Sequence, residues 1–309
     1  MLLFGHLLPE ESLTIMKSRL IFFILLGIIV CEKLTAQQHF VIFVNGYRGF
    51  GLDHYTTDGR IINPKKPSPL DSDSSFKSDA WIIGYWSPGN IHFDDSIIAR
   101  YQHAYPLYVD GHHPLSTSTH KTMTKLVWSY IKTKLFFLRR NPRGILNLKE
   151  NNSGFNIRVE KGRRIGDKLL NIYCDKDTLA TVSIVCHSQG FAVALGIIEK
   201  LKDHTDLRDF IILSPEGAQN ANCDWSLFEN VWHYTSSFTD NKYRFVWRQD
   251  GIAPQTTLKN LTDSESTGLI GVPKNTRGLK LGFMKSHHLA YYHWFFDLKK
   301  GDRGYFGDY

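Results

Sequence analysis

The stretch Thr181-Val-Ser-Ile-Val-Cys-His-Ser188-Gln-Gly190-Phe-Ala192 decides how the chain is read. Thr181 to Val185 is a β-branched run that suits a strand buried on both faces. Gly190 to Leu201 is apolar on most faces and small at Ala192 and Ala194, the pattern of a helix pressed tightly against a sheet. Between them only a sharp turn around Ser188 fits. A buried strand that runs directly into a buried helix puts Ser188 at the carboxyl edge of the sheet, where open α/β folds keep their sites.

The same alternation recurs outward from this point. Phe40–Val44 reads as a strand ending at Asn45-Gly46, and Ala80–Trp86 as a second strand closed by Ser87-Pro88-Gly89. Thr181–Val185 is then the third strand, Asp209–Ser214 the fourth and Tyr243–Trp247 the fifth. Helices are expected over Lys121–Leu138, Arg158–Tyr173, Gly190–Leu201 and Leu289–Leu298, while Asn260–Leu281 reads as loop. Strands alternating with helices predict an α/β fold: a mostly parallel central sheet with helices on both faces. The mixed stretch 90–155 reads as a helical insertion or lid within one domain over 37–309. Its His112-His113 pair reads as part of a surface loop.

Composition narrows the function classes. The chain has 309 residues, 42% hydrophobic and 22% charged, which excludes disorder, collagen-like repeats and a disulfide-dense miniprotein. Lys+Arg 37 against Asp+Glu 30 gives +7 with no dense basic run, so no nucleic-acid partner is expected. The excess suits a solvated basic face, with peripheral contact to an anionic membrane surface as the alternative. Lys17 and Arg19 precede the apolar run Leu20–Val30, and Leu34-Thr35-Ala36 offers small residues before Gln37. These are the marks of a cleaved signal peptide over 1–36, and they read best with translation starting at Met16 and Met1–Ile15 upstream of the true start. The apolar run is shorter than the roughly 20 residues a membrane span needs. A secreted or periplasmic location is expected. Cys174, Cys186 and Cys223 follow the signal, so at most one disulfide can form, and no C-x-x-C pair suggests a metal site.

A sharp strand-to-helix turn lifts a hydroxyl clear of the backbone and needs small residues two before and two after it. Gly190 supplies one, and Cys186 stands at the other position. The N–H of Gln189, at the helix start, faces any charge that develops on a bound carbonyl oxygen. Cys186-His187-Ser188-Gln189-Gly190 resembles the nucleophile elbow of the α/β-hydrolase superfamily, in the His-Ser-Gln-Gly form of its lipase-like members. Asn45-Gly46-Tyr47-Arg48-Gly49 resembles that family's His-Gly oxyanion loop, with Asn45 in place of His. The resemblance spans 40–296 in element order. It implies an α/β-hydrolase fold, lipase- or esterase-like serine hydrolase activity, and oxyanion donors at the main-chain N–H groups of Tyr47 and Gln189.

A serine hydroxyl attacks only when a base takes its proton and an acid orients that base. The order along this family's chains is Ser, acid, His. Asp250, in the Gly- and Pro-bounded turn after the fifth strand, is the expected acid; Asp240 precedes that strand and reads as a turn residue. His288, which abuts the last helix, is the expected base, with His287 as the alternative, while His293 and His187 read as packing residues. Such an assembly needs no cofactor and no metal. The expectation is a secreted serine hydrolase that cleaves a carboxylic ester, small-molecule or lipid, through an acyl-enzyme. Two alternatives stand beside it: a thioesterase or peptidase with the same triad, and a binding protein on a hydrolase scaffold without turnover. Acyl length and oligomeric state are not encoded in these motifs.

Overall fold

Strand β1 (His39–Val44) is buried along its whole length, and its side chains divide by parity. Phe40, Ile42 and Val44 enter one apolar cluster and Val41 and Phe43 enter another. That period of two is what strand geometry imposes, so the sheet has a core on each face. In this computed structural model the residues described are 38–46, 61–62, 82–88, 91–102, 104–112, 152–173, 180–215, 217–238, 258–273 and 288–307. The expected signal segment 1–36, the helix at Lys121–Leu138 and the strand at Tyr243–Trp247 lie outside them. Residues 39–309 form one compact unit.

The other strands are β2 (Ile61–Ile62), β3 (Tyr105–Val109), β4 (Ala180–His187), β5 (Thr205–Leu213), β6 (Asn230–Phe238) and β7 (Thr267–Val272). They form one sheet in the order β2-β3-β1-β4-β5-β6-β7. Six strands run parallel, and β2 pairs antiparallel with the end of β3. Helices α2 (Asn152–Tyr173) and α3 (Gly190–Leu201) join the first cluster. Helix α1 (Phe93–Ile98) and the 3-10 segment Leu289–Asp297 join the second. The expected α/β architecture, a mainly parallel sheet with helices on both faces, is present. Helix α3 is buried on nearly every side because α2 covers it. A β-carbon on Gly162 would meet the Val193 carbonyl oxygen at 2.0 Å, and one on Gly196 would meet that of Val159 at 1.9 Å. Glycine at both positions lets the two helix backbones touch.

Four expectations change. Ala80–Trp86 is not a strand: residues 82–84 are helical and a turn follows, with Ile82 and Trp86 buried four residues apart on one face. The stretch 90–155 is not wholly inserted, since it supplies α1 and then β3, which pairs with β1 inside the sheet. His112 is buried rather than on a surface loop. Asn260–Leu281 contains β7, whose residues alternate between half-buried and buried as an edge strand's do.

At the amino edge of the sheet a polar network is sealed in. His39 Nε2 meets Ser183 Oγ at 3.0 Å, and Asp209 accepts from Tyr101 Oη (2.9 Å), Asn230 Nδ2 (2.9 Å) and Ser183 Oγ (3.4 Å). Burial, helped by the Arg208 guanidinium, lowers the His39 pKa from 6.5 to about 4. The folded protein therefore keeps His39 neutral while the unfolded chain takes up a proton below 6.5. Stability contributed by this group is complete above pH 6.5 and falls as the pH drops towards 4, by about 2 kcal/mol. Urea unfolding measured across that window should show the decline, and His39→Gln should remove this part of the pH dependence.

Candidate active site

Strand β4 ends at His187, and helix α3 begins at Gly190. Ser188 turns the chain between them at φ 56, a left-handed conformation that a residue with a β-carbon rarely adopts. Its N–H donates to the Leu213 carbonyl at the end of β5 (3.0 Å), and its own carbonyl accepts from Phe191 N (3.2 Å). Ser188 and Gln189 are both buried. The positive end of the α3 dipole opens at this turn.

Two glycines make the turn fit. A β-carbon on Gly190 would lie 2.4 Å from the Val44 carbonyl oxygen and 2.6 Å from that of Asn45. One on Gly46 would lie 2.6 Å from Ser188 Cβ, 2.8 Å from the His187 carbonyl oxygen and 2.9 Å from Tyr85 Oη. The end of β1 is thus in direct contact with the turn. Asn45 ties the end of β1 to the Gly111 turn: its Nδ2 donates to the Gly46 carbonyl (3.0 Å), and its Oδ1 accepts from Gly111 N (3.0 Å). The Gly111 turn is held in its own right. Lys161 Nζ on α2 donates to the His112 carbonyl (2.8 Å) and faces Asp110 Oδ2 at 3.8 Å, both side chains being buried.

Aromatic groups flank His187, the residue before the serine. His187 Nδ1 is hydrogen-bonded to the Tyr85 hydroxyl. The Tyr292 ring stands edge-on to the His187 ring, and the Tyr292 hydroxyl is hydrogen-bonded to Ser214 Oγ. Ser214 also has a positive φ, 44, just past the end of β5. Cys186 is fully buried in the apolar cluster, and burial pushes its thiol well above the ordinary range, so the thiol stays protonated and is no rival nucleophile.

The remaining expected site residues fall as follows. His288 caps the Leu289–Asp297 segment as an exposed residue, with Nδ1 accepting from Ala290 N at 3.4 Å. Tyr47, Asp250 and His287 lie outside the described residues. Asp240 also lies outside them. One feature escaped the sequence reading. Tyr85 carries no motif at all, and only folding brings it to His187. Among the described residues no group of three or more His, Cys, Asp or Glu could hold a metal, and no helix is long and apolar enough to cross a membrane.

No family model matches the chain, and neither does any curated protein or solved structure.

The backbone at Ser188 makes a stability prediction. Ser188→Gly relieves the left-handed strain and should raise the unfolding free energy by about 1 kcal/mol. Gly190→Ala should lower it by about 2 kcal/mol or more, because the obstacle is main-chain oxygen that cannot move aside. Urea midpoints of the two variants against the parent measure both.

Proposed function

We propose that the protein is a serine hydrolase of the α/β-hydrolase fold that cleaves carboxylic esters, with Ser188 as the nucleophile. The observation that carries this reading is the left-handed serine between β4 and α3, enclosed by Gly46 and Gly190 where no β-carbon fits. Strain of this kind costs about 1–3 kcal/mol and persists where the surroundings impose it, most often at a functional site. The Ser188 hydroxyl adds to the acyl carbon and a histidine takes its proton. The Gln189 N–H, with Tyr47 N–H from the loop after Gly46, stabilises the oxyanion. The histidine then protonates the leaving alcohol, and water releases the acid from the acyl-enzyme by the same route.

The strand order supports the acid and the base in outline: Ser188 follows β4, both aspartates follow β6, and both histidines follow β7. For the base a specific observation favours the choice the sequence reading placed second. A triad base donates its Nδ1–H to the acid, whereas His288 Nδ1 accepts from the backbone, which favours His287. The substrate is a small-molecule or lipid ester; we read residues 1–36 as a signal peptide and the protein as exported.

A fluorophosphonate probe should label the parent protein and leave Ser188→Ala unmodified, with hydrolysis of para-nitrophenyl butyrate falling at least about 10³-fold. Replacing the true acid by Asn should cost about 10⁴-fold in kcat, while the other aspartate's variant stays near the parent; His287→Gln and His288→Gln should separate in the same way. A folded parent protein that neither takes the label nor turns over the ester would sink the reading and leave a binding role on this scaffold.

A further inference from the structure

Resting on the serine-hydrolase reading, the geometry points to Tyr85 as a third oxyanion donor, a side-chain hydroxyl that works beside the two main-chain N–H groups. The Tyr85 oxygen and Ser188 Cβ lie 2.9 Å and 2.6 Å from one and the same point, the place a β-carbon on Gly46 would take. The phenol oxygen therefore borders the same small space as the serine, on the side of the oxyanion loop. No other described side-chain oxygen approaches that point as one of its three nearest atoms.

The phenol is held firmly. Ile82 and Trp86 on either side of it are buried in the second apolar cluster, and the Trp86 ring stands against Phe43 of β1 at 5.1 Å. The Trp86 carbonyl accepts from Phe93 N at 3.0 Å, which fixes the turn to helix α1. An oxyanion donor has to be positioned before the charge appears, and a phenol between two anchored neighbours meets that condition.

With the His187 ring proton on Nδ1, the hydrogen bond between the two leaves the phenol proton available. A phenol oxygen has lone pairs to accept with and one O–H to donate. His187 Nδ1, when it carries the ring proton, donates to it. The O–H is then left to point at the acyl oxygen. Burial pushes the phenol well above its ordinary value, so it remains a protonated donor throughout the working pH range. As Ser188 Oγ bonds to the acyl carbon, the carbonyl electron pair moves onto oxygen and Tyr85 donates a hydrogen bond to it without giving up its proton. When the carbonyl re-forms, the alkoxide leaves with the proton that the histidine had taken from Ser188.

Sulfur is a weak hydrogen-bond acceptor, so a thionoester, which develops charge on sulfur, gains little from such a donor. The test compares para-nitrophenyl butyrate with its thiono analogue in the parent and in Tyr85→Phe, with melting curves to verify folding. The oxoester kcat should fall about 10²-fold with KM nearly unchanged, and the thionoester rate should fall less than about tenfold. Equal losses on both esters would show a packing role only, and no loss on either would show no role; each overturns the proposal and leaves the hydrolase reading standing. A parent protein without fluorophosphonate labelling or ester turnover removes the reading beneath it and the proposal together. Should loss of the oxygen prevent folding, fluorotyrosine at position 85 keeps the shape and makes the phenol a stronger donor. It should raise the oxoester-to-thionoester ratio, and an unchanged ratio overturns the proposal.

Discussion

The carbonyl oxygens of Val44 and Asn45 occupy the place where a side chain on Gly190 would begin. Helix α3 can start against the end of β1 only because its first residue has none. That contact leaves the chain two residues between β4 and α3 in which to reverse its course. Ser188 absorbs the change in direction at a φ that costs a residue with a β-carbon. Gly46 repeats the constraint from the other side, since it too must lack a β-carbon to lie against Ser188. The carboxyl edge of the sheet is therefore organised by main-chain contacts among β1, β4 and α3. The side chains of the proposed site are arranged on that frame.

The frame was legible because its signals are local. A β-branched run, small residues on both sides of a serine and an apolar helix are all contiguous in Thr181–Leu201, and β4 and α3 lie where the pattern puts them. Elements whose signal is diluted were harder to see. Pro106 disguises β3, although it stands in the outer half of a strand whose far side pairs only at Tyr108 and Val109, where a missing N–H is tolerated. Gly268 and Gly271 weaken the strand signal of β7. Gly268 is needed there because the Asp263–Arg303 ion pair passes where its β-carbon would be. Ala80–Trp86 misled for a different reason: a short apolar run has no period of its own to separate strand from helix.

The candidate site divides in the same way. Ser188, Gln189 and Gly190 belong to a contiguous motif. Tyr85 is far from legibility. It lies 102 residues from His187 along the chain, and its relation to Ser188 exists only because the segment 82–88 folds back across the end of β1. Hydroxyls recruited by long-range contacts leave no trace in spacing.

The opposite edge of the sheet shows why residue types alone could not have chosen the proposed nucleophile. His39, Ser183 and Asp209 are also a histidine, a serine and an aspartate joined by hydrogen bonds through the serine, deep in the fold. Their arrangement is wrong for acyl transfer in each respect that matters. Ser183 lies between the other two, so the carboxylate bonds to the serine and leaves the imidazole without an acid to orient it. The remaining capacity of Asp209 is taken by Tyr101 and Asn230. Ser183 sits within a β-strand, without the left-handed turn that lifts a hydroxyl clear, and no helix starts beside it to receive negative charge. Ser188 differs from Ser183 in its backbone and in what that backbone faces, and the functional proposal rests on that difference.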